Sequence, residues 1–280
     1  MTATNEAPLP SASAERRLSD EDVAAYDRDG FVRLDGYVDP AIGHAMLDRV
    51  VELAHRAARG EDISPAFVLP EQQAGFADQA QTPEEAVSKI FRLARDEVFH
   101  SFAVDPRTTA PLTRLLDRDD IDNFLSQFIF KNAGAWGQPW HQDSFYFPFD
   151  PPRPVVGVWL AITAATLDNG CLHVVPGSHR EPVHEHVPDR RPNANYGYAE
   201  IIDHDMHGSV PVTMEPGDVL LFDSHLMHRS TDNHTDAPRA AMVYHYAGAG
   251  TLDRTEEQRG YTVNDWIPAR RADGALPPVP

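Results

Sequence analysis

Along the first part of the chain apolar residues recur at helical spacing, whereas the later part breaks into short β-like runs separated by turn residues. Ser19 stands before Asp20, Glu21 and Asp22, a capping residue followed by acids suited to the positive end of a helix, and Gly30 closes that segment. A short strand is predicted at Phe31 to Leu34. Pro40 opens a second helix over Ala41 to Ala58, in which Ile42, Met46, Val50 and Leu53 share one face and Gly60 marks the end. Residues 61–82 mix Pro, Gly, Gln and Ala without a period and read as a long loop of the kind that covers active sites. Two more helices are predicted, at Pro83 to Ala94 and Pro106 to Leu116.

From Ile121 onward the predicted strands are Phe124 to Lys131, Trp140 to Phe145, Val155 to Ile162, Cys171 to Val175, Val210 to Met214, Val219 to Phe222 and Ala240 to Ala247. Asp168-Asn169-Gly170, Pro176-Gly177-Ser178 and Glu215-Pro216-Gly217-Asp218 supply the turns. Strands at this spacing suggest a sandwich or barrel. Glu181 to Gly208 is a polar insertion rich in His and Pro, expected to leave the barrel and fold over its mouth. The expected organisation is a disordered tail over 1–17 and a single domain over 18–265. That domain combines a helical part (18–120) with a β core (121–250), and an irregular tail follows over 266–280. No internal repeat is present.

Composition narrows the function classes. A hydrophobic fraction of 41% and a charged fraction of 24% are ordinary for a globular enzyme. A formal net charge of -19 disfavours sequence-independent binding to nucleic acid or to an anionic membrane, since both need clustered Lys and Arg. The single cysteine, Cys171, excludes an internal disulfide framework and fits a reducing compartment. No run approaches the ~20 apolar residues of a membrane span. Met1 to Arg17 lacks the basic and apolar regions of a secretory signal, so a cytoplasmic protein acting on a small molecule is expected.

The chemistry centres on His141-Gln142-Asp143. In an extended strand the first and third side chains of such a triplet share a face, with Cα atoms roughly 7 Å apart. An imidazole and a carboxylate side by side, joined by a second imidazole, form the facial triad of non-haem iron(II) oxygenases. Two histidines compete for the third place, His225 and His228, and their spacing does not choose between them. Arg239 begins a strand that puts Ala241, Val243 and His245 on the same face. A buried arginine there calls for an anion, and a carboxylate held by its guanidinium meets that need. Lys131, one of two lysines in the chain, shares a strand face with Gln127 and has a pocket role or a structural one. Phe145 and Phe147 share the face of His141 and line a substrate channel or pack in the core. His184-x-His186 with His204 and His207 offers a weaker second metal reading, and Cys171 reads as a small packed side chain.

Several stretches together resemble the phytanoyl-CoA dioxygenase family. They are Trp140-His141-Gln142-Asp143 with Tyr146 to Phe149, Trp159, Asn169 to Leu172, Pro176 to His179, His228-Arg229-Ser230, Arg239 and the N-terminal Asp29 to Val32. The resemblance runs from about Leu18 to Gly248, leaving aside both tails and the insertion. It implies a mainly β fold with packed helices, a double-stranded β-helix (jelly roll, cupin-like), using iron(II), 2-oxoglutarate and O₂. Carried over by motif, His141, Asp143 and His228 are the implied metal ligands and His225 is set aside. Arg239 and Ser230 are implied to hold the distal carboxylate of 2-oxoglutarate, with Trp159 and Gln127 beside it. Halogenating relatives replace the aspartate by a small residue, so Asp143 implies oxygen transfer.

The expected reaction is hydroxylation, or a related desaturation or ring closure, at an unactivated C–H bond of a small metabolite, with secondary metabolism as one setting. Three rival readings compete with it. They are an acyl-CoA 2-hydroxylase of the phytanoyl-CoA type, a Zn²⁺ or Mn²⁺ cupin without 2-oxoglutarate, and a non-catalytic jelly-roll binding or sensor domain. The second leaves Arg239 without a role, and the third has no reason to keep a full ligand set.

Overall fold

Helix α1 (Asp20–Asp29) starts with a capping box: the Ser19 hydroxyl accepts from the Asp22 N–H, and the Asp22 carboxylate accepts from the Ser19 N–H. Gly30 ends it in the left-handed conformation. The structure, a computed structural model, describes residues 18–71, 73–194, 198–274 and 276, so the predicted tail over 1–17 lies outside the described residues. Strand β1 (Phe31–Leu34) leads to α2 (Pro40–Ala58), whose buried positions Met46, Val50 and Leu53 follow the helical period. There follow β2 (Phe67–Pro70), β3 (Val87–Phe91), α3 (Glu97–Ala103), α4 (Pro106–Leu116) and β4 (Ile121–Lys131). The later part contains β5 (Phe149–Asp150), β6 (Val155–Ala161), β7 (Leu172–Val174), β8 (His186–Pro188), β9 (Ala199–Ile201) and β10 (Val210–Val212). It ends with β11 (Val219–Asp223), β12 (His228–Ser230), β13 (Arg239–Gly248), β14 (Leu252–Asp253), α5 (Thr255–Arg259) and β15 (Ile267–Arg270).

Eight strands form the larger sheet in the order β1-β11-β6-β13-β4-β3-β2, with β15 also paired to β4. The smaller sheet runs β10-β7-β12, and all these pairings are antiparallel. The result is a mainly β jelly roll, because alternate residues of the central strands serve two cores. Met242, Tyr244 and Tyr246 of β13 pack with Met46, Val50, Phe99 and Leu112 between sheet and helices. Ala241 and Val243 face Leu172 and Val174 between the two sheets. No helix among the described residues is long and apolar enough to cross a membrane.

Several segments differ from these expectations or add to them. Pro83 to Ala94 is not one helix but a 3₁₀ turn (Pro83–Ala86) followed by β3, which extends the larger sheet against β4. Every residue of β3 is buried, so the polar alternation that marks a half-exposed strand is missing from its sequence. Trp140 to Phe145 is not a strand: His141 makes one bridge to His228, and Asp143–Tyr146 is a 3₁₀ turn. Within the tail expected to be irregular, Ile267–Arg270 instead forms β15, which pairs with β4 and buries Ile267 and Ala269 in alternation, while 275 and 277–280 lie outside the described residues. Finally, residues 61–82 contain β2, and the insertion contains the β8–β9 hairpin, with 195–197 outside the described residues.

Candidate active site

The backbone brings the His141 and His228 side chains together before any ligand is considered. His141 N–H donates to His228 O at 2.9 Å, and His228 N–H donates to His141 O at 3.0 Å. Each ring is then fixed by its own chain: His141 Nδ1 donates to Pro139 O at 2.8 Å and His228 Nδ1 to Leu226 O at 2.9 Å. Carbonyl oxygens only accept, so both protons sit on Nδ1 and both Nε2 lone pairs face inward. Asp143, placed by the 3₁₀ turn, puts Oδ1 3.4 Å from His141 Nε2 and 3.8 Å from His228 Nε2. Its other oxygen accepts from His245 Nε2 at 2.7 Å. Three acceptors converging this closely repel one another unless a cation lies among them, so the donor set fits a divalent metal. The Gln138 amide now donates to His141 Nε2 at 2.9 Å, and a metal at that lone pair requires this side chain to turn aside.

Burial and charge agree with that reading. Burial opposes ionisation of Asp143, but the imidazoles gathered around it, with His245 donating directly, outweigh it and hold the carboxyl well below its usual range. Burial pulls His228 down to about 4, which keeps it neutral and able to donate a lone pair. Competing His225 is buried but turned away, with Nδ1 2.8 Å from Ser144 Oγ and its N–H on Asp223.

Among the described residues Arg239 is the largest of the fully buried side chains, at 2% exposure. Its Nη2 donates to Gly170 O at 3.0 Å and its guanidinium lies over the Trp159 ring at 5.5 Å, while Nε and Nη1 have no protein partner. Gly170 is required here: its φ is +89°, and a Cβ would meet Thr231 O at 2.4 Å. Burial pushes the arginine down to about 10, so it remains charged at neutral pH. A buried cation with two unused donors is costly unless an anion completes it. Ser230 Oγ accepts from Lys131 Nζ at 2.8 Å and from Gln138 N–H at 3.0 Å, leaving its proton free to donate. Lys131 is therefore buried beside the site, and burial holds it well below its usual range.

These groups line one cavity of about 670 Å³, which also takes in Gln127 and Phe147. Phe145 does not line it. Beyond the turn that breaks the strand alternation, its ring stacks on His186 at 4.2 Å. Sequence reasoning passed over His245, whose place on the Arg239 face was visible by alternation but whose contact with Asp143 was not. It also passed over Lys89, Tyr198 and Gln138. Lys89 Nζ donates to Gln138 Oε1 at 3.2 Å, sits 5.0 Å from the Tyr198 ring centre and is lowered by burial to about 8. Cys171 is fully buried in the inter-sheet core. In the insertion, His184 and His204 meet at Glu181, whereas His186 instead accepts the Gln142 N–H and His207 is exposed.

The sequence pattern of the family described as Phytanoyl-CoA dioxygenase (PhyH) matches residues 26–241. The chain belongs to this family. A probable phytanoyl-CoA dioxygenase of Caenorhabditis elegans is 40% identical over 239 residues, covering 82% of this chain and 75% of that protein. Among solved structures, EctD from S. alaskensis with 2-oxoglutarate and 5-hydroxyectoine is 25% identical with a TM-score of 0.61, covering 88% of this chain and 79% of that one. The epimerase SnoN with Fe³⁺, alpha ketoglutarate and nogalamycin RO shares the fold at 20% identity and a TM-score of 0.61, over 84% of this chain and 85% of its own. The protein is a non-haem iron- and 2-oxoglutarate-dependent oxygenase.

Proposed function

We propose that this oxygenase hydroxylates an unactivated C–H bond of a small, partly apolar metabolite. His141, Asp143 and His228 would hold iron(II), and Arg239 with Ser230 would hold the distal carboxylate of 2-oxoglutarate. The observation that carries this reading is the convergence of three acceptor atoms in one cavity with a buried guanidinium that has two unused donors. Bound iron(II) with 2-oxoglutarate and O₂ supplies the oxidation, in which one oxygen atom enters the substrate and the other enters succinate as CO₂ leaves. The chain's part is positional. Carbonyls of Pro139 and Leu226 keep the two imidazoles aimed inward, and His245 fixes the Asp143 carboxylate. Trp159 would lie against the cosubstrate, with Gln127 as a second neighbour, and the aromatic walls exclude water.

The remaining cavity supports the substrate class. Phe67, Leu69, Phe91, Phe147 and Val263 form an apolar wall, with Asn264 and Thr262 as polar points. EctD and SnoN are solved with small molecules, which supports a metabolite, including a secondary metabolite. The names of the curated relatives favour a second reading, an acyl-CoA thioester. Phe147 would then flank the acyl chain, but a strongly acidic chain disfavours the polyanionic CoA part. With a single, buried cysteine the setting we propose is the reducing cytoplasm.

Anaerobic titration with Fe(II) and 2-oxoglutarate tests the site. A weak visible charge-transfer band is expected, and its absence would overturn the oxygenase assignment of these residues. Succinate release stimulated by a long-chain acyl-CoA, and not by small metabolites, would replace the substrate reading.

A further inference from the structure

Glu181, His184 and His204 converge at the base of the insertion whose Tyr198 lines the cavity. Glu181 Oε2 lies 2.9 Å from His184 Nε2 and 3.1 Å from His204 Nε2, and the two rings are 4.9 Å apart between centres. All three residues are half-buried, on segments that precede β8 and follow β9. We propose that these three side chains form a second, structural metal site for a divalent cation of the Zn²⁺ type, which clamps the two ends of the insertion together.

The placement of the rings suits a bound cation. The other nitrogen of His184, Nδ1, faces Asp203 Oδ1 at 3.6 Å. If His184 Nε2 carries the proton toward Glu181, the neutral ring turns a lone pair toward the Asp203 carboxylate, an acceptor facing an acceptor. A metal at Nε2 removes that conflict, because the proton then sits on Nδ1 and points at Asp203, the carboxylate–histidine–metal arrangement. Two imidazoles and a carboxylate suit Zn²⁺ rather than Mg²⁺ or Ca²⁺, with water completing the half-exposed side. Ligand atoms around a tetrahedral Zn²⁺ at ~2.0–2.1 Å are roughly 3.3–3.4 Å apart, so the two separations from Glu181 need to open by only a few tenths of an ångström, and all three ligand atoms lie within 4.8 Å of one another.

The clamp would reach the catalytic residues through Gln142. Its Oε1 accepts from the His184 N–H at 2.8 Å, its Nε2 donates to Pro182 O at 3.1 Å, and its own N–H donates to His186 Nε2 at 3.0 Å. Ile201 N–H donates to Trp140 O at 2.8 Å, and Tyr198 of the same hairpin lines the cavity. Holding the ends of the insertion therefore holds the triplet His141-Gln142-Asp143 through Gln142.

Equilibrium dialysis of the full-length protein against Zn²⁺, with bound metal measured by mass spectrometry, tests the site. The wild type should bind two equivalents, one at each site. Asp143→Ala should retain one, and adding His204→Ala or Glu181→Gln should remove it. Loss of both equivalents in Asp143→Ala, or retention of the second in both added variants, would overturn the proposal. Because an added variant can misfold, the zinc absorption edge of Asp143→Ala alone provides an independent reading. Two imidazole nitrogens and a carboxylate oxygen at ~2.0–2.2 Å are expected, and a shell of water oxygens alone would refute it. Zn²⁺ should also slow amide exchange of His184, Gln142 and Ile201 at least tenfold in Asp143→Ala, and unchanged exchange would refute the clamp.

Discussion

Strand β13 presents two opposed environments on alternate residues. On its helix side, Tyr244 OH donates to Phe99 O and Tyr246 OH to Ala103 O, both at 3.0 Å, and Met242 is wholly buried among apolar neighbours. Both tyrosine hydroxyls there are answered within the chain. On the cavity side, Arg239 keeps two donors without a protein partner, and His245 is committed to the carboxylate that faces the metal site. The lesson is that one face is complete as folded and contributes stability, while the other is incomplete until something binds. Local structure cannot explain the difference, since the two sets of residues belong to the same strand.

The comparison is broken most severely by Asp143→Ala. It should abolish the iron-dependent charge-transfer band and reduce succinate formation below detection while leaving the urea midpoint of the metal-free protein close to wild type. On the opposite face, Met242→Ala should cost about 2–5 kcal/mol of stability by opening a cavity, measured by urea unfolding, while folded protein keeps its affinity for 2-oxoglutarate. Returning to the cavity face, Arg239→Ala loses a charge-assisted contact worth about 1.5–3 kcal/mol, so the KM for 2-oxoglutarate should rise roughly 10- to 150-fold, with little loss of stability. The smallest effect is expected for Tyr244→Phe, about 1 kcal/mol of stability from the lost bond to Phe99 O, with unchanged turnover. A fall in stability for Arg239→Ala as large as that for Met242→Ala would show that the two faces are not divided as argued.

Much of this site was legible in the sequence, for different reasons at different residues. Arg239, Ala241, Val243 and His245 share a face because a strand alternates, and the structure keeps that alternation to Val243 and His245. The helix at Asp20–Asp29 was readable because its caps are local, Ser19 at one end and Gly30 at the other. The segment 83–94 was misread because β3 is buried on both faces, which erases the contrast that distinguishes strand from helix. Phe145 was misplaced for a related reason: alternation was extended past His141, where the chain had already turned into the 3₁₀ segment. Lys89 was not legible because its side chain meets Gln138 and Tyr198, both remote in sequence.

By itself the sequence determined what depends on near neighbours: helix starts, turn positions, the outward and inward faces of the long strands, and the chemical types available for a site. Through its motifs it also singled out His141, Asp143, His228 and Arg239. Only the tertiary structure decided which atoms meet. The main-chain carbonyls of Pro139 and Leu226 set the protons of the two histidines, Gly170 brings a carbonyl to one end of Arg239 and leaves the rest unanswered, and His245 takes one oxygen of Asp143. Those contacts join residues far apart in the chain at distances where a few tenths of an ångström separate a hydrogen bond from none, and such distances are set by packing that no local pattern encodes.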